Sequence, residues 1–252
     1  MNRHSRTQAL ILASRPAGES NRVVIFLTPQ HGVQQAMLYG GRKSRLRSLV
    51  SPWHRGTLWL YTDTARGSAK ITDFDAEYYS ARIRENLDKT WAASVCTEIV
   101  MKTEAAGEFG PCWQLAAGFI QGLELCQPEN TQTGLLRFMW RYLSLLGQQA
   151  DCRTCIRCAQ LFDGGSPQAV YYSPAENGFV CAHCVSEHEY ALPLTTESIR
   201  YLHTVSAAPP ELSRTYRLSP ESFQELRHFL FTLISAACGG QLKTLACQPS
   251  LY

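Results

Sequence analysis

The stretch that decides the fold reads Arg22-Val23-Val24-Ile25-Phe26-Leu27-Thr28. Because β-branched and apolar residues dominate it, it predicts a β-strand. Turn-forming residues lie on both sides, with Pro16-Ala17-Gly18 before the stretch and Pro29-Gln30-His31-Gly32 after it. The strand is therefore short, and the chain turns back at each of its ends.

Similar runs on either side predict four further strands, at Gln8 to Ser14, Val33 to Tyr39, Thr57 to Tyr61 and Ala69 to Phe74. Short strands at this regular spacing are typical of a small antiparallel barrel or sandwich. Five of them within the first 75 residues fit an OB-like barrel.

The hydrophobic period changes to that of helices after about Ser80. Apolar residues recur every three to four positions in three segments, carried by Leu87, Trp91, Val95 and Ile99, by Leu115, Phe119 and Leu123, and by Leu135, Met139, Leu143 and Leu146. Helical character returns at Thr195 to Val205. It returns again in a segment with Ser219 as N-cap, Pro220 as first helical residue, and an apolar face formed by Leu226, Phe229, Leu230, Leu233 and Ile234.

Two Cys-x-x-Cys pairs lie in the irregular, Gly- and Pro-rich region from 148 to 190. They are Cys155 with Cys158 and Cys181 with Cys184, and 22 residues separate them. This spacing is typical of a zinc ribbon, in which each pair forms a tight knuckle. Four thiolates would leave no open position on the metal, so the predicted zinc site is structural.

Cys152 leaves the first pair open, because Cys152 and Cys155 also form a Cys-x-x-Cys pair. Spacing alone does not choose between the two, and a fortuitous set of buried thiols is a further alternative. His183 lies inside the second pair, and we expect it to face solvent rather than bind the metal.

Catalytic motifs that use a metal or a nucleotide are absent from the sequence. It contains neither the His-x-Glu of zinc deaminases nor His-Glu-x-x-His. A phosphate-binding loop needs glycines where Arg42 and Met37 stand. We therefore predict no catalytic residue, and a zinc-dependent nucleic-acid-modifying enzyme is the disfavoured hypothesis.

Positive charge is concentrated at the start of the chain. Residues 1 to 55 contain nine Lys and Arg residues and one acid, Glu19, although the net charge of the whole chain is only +3. Such asymmetry suggests a polyanionic partner, most often nucleic acid, and a solvated basic loop is the alternative. The predicted DNA-binding residues are Arg42, Lys43, Arg45 and Arg47 in a basic loop, together with Arg55 and Arg22.

Aromatic residues near this loop are candidates for base stacking, which is how OB-like barrels hold single strands. They are Tyr39, Trp53 and Trp59. The two tryptophans could equally be barrel core, and for Trp59, which stands inside an apolar run, we favour that interpretation.

The start of the chain argues for a cytoplasmic protein. Only five apolar residues, Ala9 to Ala13, precede Arg15, which is too few for a signal peptide or a membrane span. In the reducing cytoplasm, close cysteine pairs indicate metal ligands rather than disulfides. Cys96, Cys126 and Cys238 lie among apolar residues and are expected to fill the core.

Taken in order, these motifs resemble the bacterial RecO recombination mediators over nearly the whole chain. The similar segments are Ala9-Leu10-Ile11-Leu12, Gly18-Glu19-Ser20-Asn21-Arg22-Val23-Val24, Phe26-Leu27-Thr28-Pro29 with His31-Gly32, Gly40-Gly41-Arg42-Lys43-Ser44-Arg45, Leu145-Leu146-Gly147 and the two cysteine pairs, the second preceded by Gly178-Phe179-Val180. Two features depart from the family. Ala159 stands where a glycine commonly follows the second cysteine, and Cys152 is extra.

The resemblance implies a protein that binds single- and double-stranded DNA and anneals complementary strands. It also implies that, with RecR, such a protein helps RecA displace single-strand-binding protein, at the nucleoid in the cytoplasm. The alternative hypothesis is a zinc-braced interaction adaptor whose helical domain receives a partner peptide and whose DNA contact is incidental.

The expected fold is α+β, with an N-terminal OB-fold β-barrel followed by an all-α domain into which a four-cysteine zinc module is inserted. We predict an OB-fold DNA-binding domain at 1–79, a first helical part at 80–147, the zinc module at 148–190 and a second helical part at 191–252.

Overall fold

A computed structural model describes residues 3–40, 44–63, 65, 67–107, 109–162 and 169–247. The chain divides into two compact units, one formed by 1–132 with 242–252 and the other by 133–241. The predicted domain boundaries at 79, 147 and 190 stay a prediction.

A closed β-barrel begins the first unit. Its strands are β1 His4–Ala17, β2 Asn21–Thr28, β3 Gly32–Leu38, β4 Arg55–Asp63 and β5 Ser68–Tyr78. They follow the order β1-β2-β3-β5-β4, and β4 closes the barrel by pairing with β1. Every pairing is antiparallel except that of β3 with β5, where Met37 lies opposite Lys70. The five predicted strands and the OB-like barrel are confirmed.

Alternating side chains fill the barrel. On β4, Leu58 is fully buried inside and Leu60 packs against the same core, so Trp59 and Tyr61 point outward. The buried core residues are Ala9, Ile11, Val24, Phe26, Ala36, Leu38, Val50, Leu58, Ile71, Phe74 and Ala76. The preference for Trp59 as barrel core is therefore wrong, because alternation along β4 turns Trp59 away from the core that Leu58 and Leu60 contact.

A short helix, α1 Arg45–Leu49, lies between β3 and β4. Leu46 and Leu49 pack against the barrel core. The predicted basic loop is therefore partly helical, and Leu46 and Leu49 attach it to the barrel.

Helices α2 Ala81–Arg84, α3 Leu87–Lys102, α4 Phe109–Leu125 and α9 Lys243–Ala246 complete the first unit. The Asn86 side chain caps α3 by accepting a hydrogen bond from the Lys89 N–H. Leu87, predicted on the apolar face, is 70% exposed because it is the first residue of the helix. The segment carrying α9 docks on α3, where the Trp91 indole N–H donates to the Thr244 carbonyl at 2.8 Å.

The second unit combines helices with a small sheet. Its elements are all but the first two residues of α5 Thr131–Leu145, and β6 Val170–Ser173, β7 Gly178–Cys181, β8 Leu192–Leu194, α6 Thr196–Ala207, α7 Pro210–Ser213 and α8 Pro220–Ala237. Ser219 caps α8 as predicted, by accepting from the Ser222 N–H. The rings of Tyr172 and Phe179 contact Phe229 of α8, with centroids 5.1 and 5.9 Å away, so the sheet rests on the helical core.

None of the helices within the described ranges is long and apolar enough to cross a membrane.

Candidate metal centre and nucleic-acid interface

Four sulfur atoms converge at one end of the small sheet. The Sγ atoms of Cys155, Cys158, Cys181 and Cys184 all lie within 4.8 Å of one another, and those of Cys158 and Cys181 are 3.7 Å apart. Four thiolates arranged tetrahedrally at ~2.3 Å from a zinc ion would be about 3.8 Å apart. The cluster therefore has the size and the donor set for one tetrahedrally bound metal ion.

Backbone N–H groups favour the metal-binding form of Cys155 in the first knuckle. Burial acts to raise the pKa of Cys155, but N–H donors from Cys181, Cys158 and Arg157 outweigh it and lower that pKa to about 6. The Cys181 N–H lies 3.4 Å from the Cys155 sulfur. Because the thiolate is the form that binds metal, this environment favours the ligand state of Cys155.

Cys152 does not join the cluster, and the choice that spacing left open falls to Cys155 and Cys158. It is buried beside Ser206 of α6, and burial raises the pKa of its thiol to about 11. Cys152 thus has the environment of a core residue. His183 is exposed, in agreement with the solvent-facing position expected for it.

Arg157 joins the segments around the four-cysteine cluster through ion pairs that lie outside the cluster. Its Nη2 atom donates to Glu176 at 2.6 Å and to Glu189 at 2.8 Å. The first carboxylate lies in the β6–β7 turn and the second lies just beyond Cys184, so one guanidinium joins three segments. Sequence reasoning missed this contact because the partners are 19 and 32 residues away and no local pattern links them.

The backbone conformation of Ala159 explains why a glycine commonly stands at this position in the family. Its φ of 59° lies in the left-handed region, where glycine meets no steric penalty. The knuckle needs this conformation, since the Ala159 N–H turns back to donate to the Cys155 carbonyl at 2.8 Å.

We expect Ala159→Gly to stabilise the metal-loaded protein. Relief of the left-handed penalty, ~1–2 kcal/mol, exceeds the ~0.5–1 kcal/mol of chain entropy that glycine adds to the unfolded state. Urea unfolding measures the difference. Ala182→Gly is the matched control, because Ala182 occupies the second knuckle without a positive φ and glycine there should only destabilise. Equal destabilisation of both variants would contradict the explanation.

The predicted DNA-binding residues divide into separate groups. Arg42 and Lys43 lie outside the described residues. Arg45 is exposed and Arg47 half-buried on α1, which carries no acid in its first turn. Arg22, the second residue of β2, lies opposite Leu38, the last residue of β3. Tyr39 follows directly and is 56% exposed.

Arg55 stands apart from Arg22. Their partners on β1 are Leu10 and Pro16, which are six positions and therefore about 20 Å apart along the strand. The Arg55 guanidinium lies 3.9 Å from the centre of the Tyr78 ring and donates to Gln121 at 3.4 Å. It is engaged between the barrel and α4.

Trp53 is also held within the first unit. Its indole N–H donates to the Thr97 hydroxyl at 3.1 Å, and its φ is 69°. Nearby, the His54 ring contacts the Leu49 carbonyl at 2.9 Å and Arg84 at 3.3 Å, and burial lowers the His54 pKa. The imidazole joins the end of α1 to α2, so α1 is anchored. Of the three stacking candidates, Tyr39 is the most accessible beside α1.

Comparison with known sequences gives two family matches. The chain matches the family Recombination protein O N terminal over residues 1–78 and Recombination protein O C terminal over residues 84–246.

Similar individual proteins carry the name DNA repair protein RecO. One from Bacillus pumilus (strain SAFR-032) is 28% identical over 231 residues, covering 89% of this chain and 86% of that protein. One from Myxococcus xanthus (strain DK1622) is 29% identical over 250 residues, covering 94% and 93%. One from Desulforamulus reducens (strain ATCC BAA-1160 / DSM 100696 / MI-1) is 24% identical over 250 residues, covering 98% and 94%.

Proposed function

Because this chain belongs to the recombination protein O family of DNA repair proteins, we propose that it binds single- and double-stranded DNA and anneals complementary strands. With RecR it would assist loading of RecA onto DNA coated by single-strand-binding protein. We place this activity in the cytoplasm at the nucleoid, and we assign DNA binding chiefly to the proposed domain 1–79.

The observation that carries the proposal is the basic end of the barrel. Arg45 and Arg47 sit on a helix fastened to the core by Leu46 and Leu49, and Arg22 and the exposed Tyr39 border the segment that leads into it. Arg42 and Lys43 belong to the same segment by sequence. Fixed cations beside an accessible aromatic ring suit a phosphate backbone with unpaired bases.

Annealing on this surface needs no catalytic residue, and we propose a non-enzymatic role. Two DNA strands repel each other through their phosphates. Arginines that neutralise phosphates and release counterions reduce this repulsion, so that complementary bases can meet. The guanidinium groups of Arg45 and Arg47 would contact phosphates without reference to sequence.

Zinc fits the four-cysteine cluster, and we propose it as the bound metal. Cys155, Cys158, Cys181 and Cys184 would hold it, and its chemistry would be that of a structural crosslink between the two knuckles. Four protein ligands leave no position for water or substrate.

The test is DNA binding by a variant in which Arg42, Lys43, Arg45 and Arg47 are alanine. Affinity for a fluorescent oligonucleotide should fall, and the dependence of log K on log salt should flatten by ~1 for each phosphate that the variant no longer neutralises. Arg200→Ala with Arg214→Ala removes two exposed arginines of the second unit, and Arg45→Ala with Arg47→Ala is the double variant that matches it in charge.

Unchanged affinity and salt dependence in the quadruple variant would overturn the assignment of the surface. If the wild-type chain alone failed to bind DNA at physiological salt, the interaction adaptor would be favoured instead.

A further inference from the structure

The outer face of the barrel carries two aromatic rings side by side. Trp59 and Tyr61 are two residues apart on β4, and both are half-buried and point away from the core. We call this pair the aromatic track. It lies over β1, β4 and β5, and it contains none of the residues assigned above to the surface around α1.

Cations flank the track on both neighbouring strands. On β1, Arg6 lies opposite Trp59, and the Arg3 Nη1 atom lies 3.3 Å from the Tyr61 hydroxyl. On β5, the Lys70 ammonium sits 4.7 Å from the centre of the Tyr61 ring. None of these three cations is paired with a carboxylate in the part of the chain that the structure describes. Their charge is therefore available to an anionic ligand.

Acidic residues limit the track on one side. Asp73 lies opposite Trp59 on β5, and Asp75 and Glu77 continue the exposed row along that strand. Phosphates are repelled there and attracted toward β1. A bound nucleic-acid strand would thus lie with its bases over β4 and its backbone on the β1 side, near Arg3 and Arg6.

The two rings select unpaired bases. They are carried two residues apart on β4, a backbone distance of about 6.6 Å. In a duplex, neighbouring bases stack on each other about 3.4 Å apart, which covers their faces and leaves none for a side-chain ring. The rings can receive the bases of an extended single strand. Lys70 need not block the Tyr61 ring, because a cation–π contact at an exposed site is weaker than base stacking on an aromatic side chain.

We propose that the aromatic track, with Arg3, Arg6 and Lys70, is a second DNA-contact surface that binds single-stranded DNA by base stacking. This deepens the proposed annealing function and rests on it: one barrel would hold one strand at α1 and present the bases of another at the track.

The first experiment is photocrosslinking of the full wild-type chain to an oligothymidylate that contains 5-iododeoxyuridine, with the crosslinked peptides identified by mass spectrometry. We expect crosslinks to Trp59 or Tyr61. Binding without any crosslink to β4 would overturn the second surface. Failure of the wild-type chain to bind the oligonucleotide at all would instead overturn the proposed function.

The second experiment compares Trp59→Leu with Tyr61→Leu for binding of oligothymidylate and of duplex DNA. Removal of one stacking ring should weaken single-strand binding about tenfold and leave duplex binding unchanged. Tyr190→Leu, which removes a ring that is 71% exposed in the second unit, is the matched control. Wild-type single-strand affinity in both track variants would overturn the proposal, and if either variant failed to fold, the crosslinking result decides.

Discussion

Cys181→Ser is expected to release the zinc that we propose for the cluster and to unfold the sheet of the second unit. Cys181 ends β7, and its sulfur lies 3.7 Å from the Cys158 sulfur within the cluster. Structural zinc contributes ~10–16 kcal/mol to the folding of zinc-finger peptides, whereas a typical domain is stable by only ~5–15 kcal/mol. Loss of one thiolate should therefore lower the melting temperature sharply, measured together with the zinc content per chain.

Cys152→Ala is the matched control, because it removes a buried cysteine from the same segment and leaves the cluster intact. It should keep one zinc per chain and lose only packing energy. The opposite pattern, with metal retained in Cys181→Ser and released in Cys152→Ala, would show that the ligand set has been assigned wrongly. A strong chelator should reproduce the effect of Cys181→Ser on the wild-type chain.

Gly56→Ala is expected to destabilise the barrel by about 3 kcal/mol, the upper end of the usual cost of overpacking. A Cβ atom at Gly56 would lie 1.9 Å from the Asp75 carbonyl oxygen, because β5 passes directly over this residue next to an irregularity in the β4–β5 register. The obstacle is backbone, so no side-chain rotation relieves it. Urea unfolding followed by circular dichroism would measure the decrease in stability.

Gly118→Ala provides the contrast for that result. Gly118 lies within α4, and apart from its chain neighbours and the backbone of its own helix no described atom lies within 4 Å of the position its Cβ would take. Alanine there should stabilise the helix by ~0.5–1 kcal/mol. If Gly56→Ala were tolerated as well as Gly118→Ala, the close approach of β4 and β5 would not be a constraint on the barrel.

Periodicity predicted the long elements because their burial repeats many times. All five barrel strands and the helices α3, α4, α5, α6 and α8 follow from alternating or helical patterns, and the Ser219 cap follows from its neighbour Pro220. The short elements could not be predicted from such patterns. Helix α1 has five residues and β8 has three, which is too few for a period to show.

The candidate sites were predictable only where their residues are close in sequence. The cysteine pairs predicted the metal cluster, but only the structure showed that Cys158 and not Cys152 is the partner of Cys155. The basic residues were grouped by their charge, yet barrel register places Arg22 and Arg55 far apart along β1. The prediction for Trp59 was wrong because the side of the strand that it faces depends on which of its neighbours in the apolar run point inward.

The short segment that carries α9 has a consequence for synthesis. It belongs to the first unit, where the Glu98 carboxylate accepts hydrogen bonds from the N–H groups of Lys243 and Thr244. Domains fold largely as they leave the ribosome, N-terminal parts first. Residues 133–241 nevertheless emerge before residues 242–246 can dock on α3. The nascent barrel unit must therefore wait through the translation of the whole second unit before its helical layer is complete.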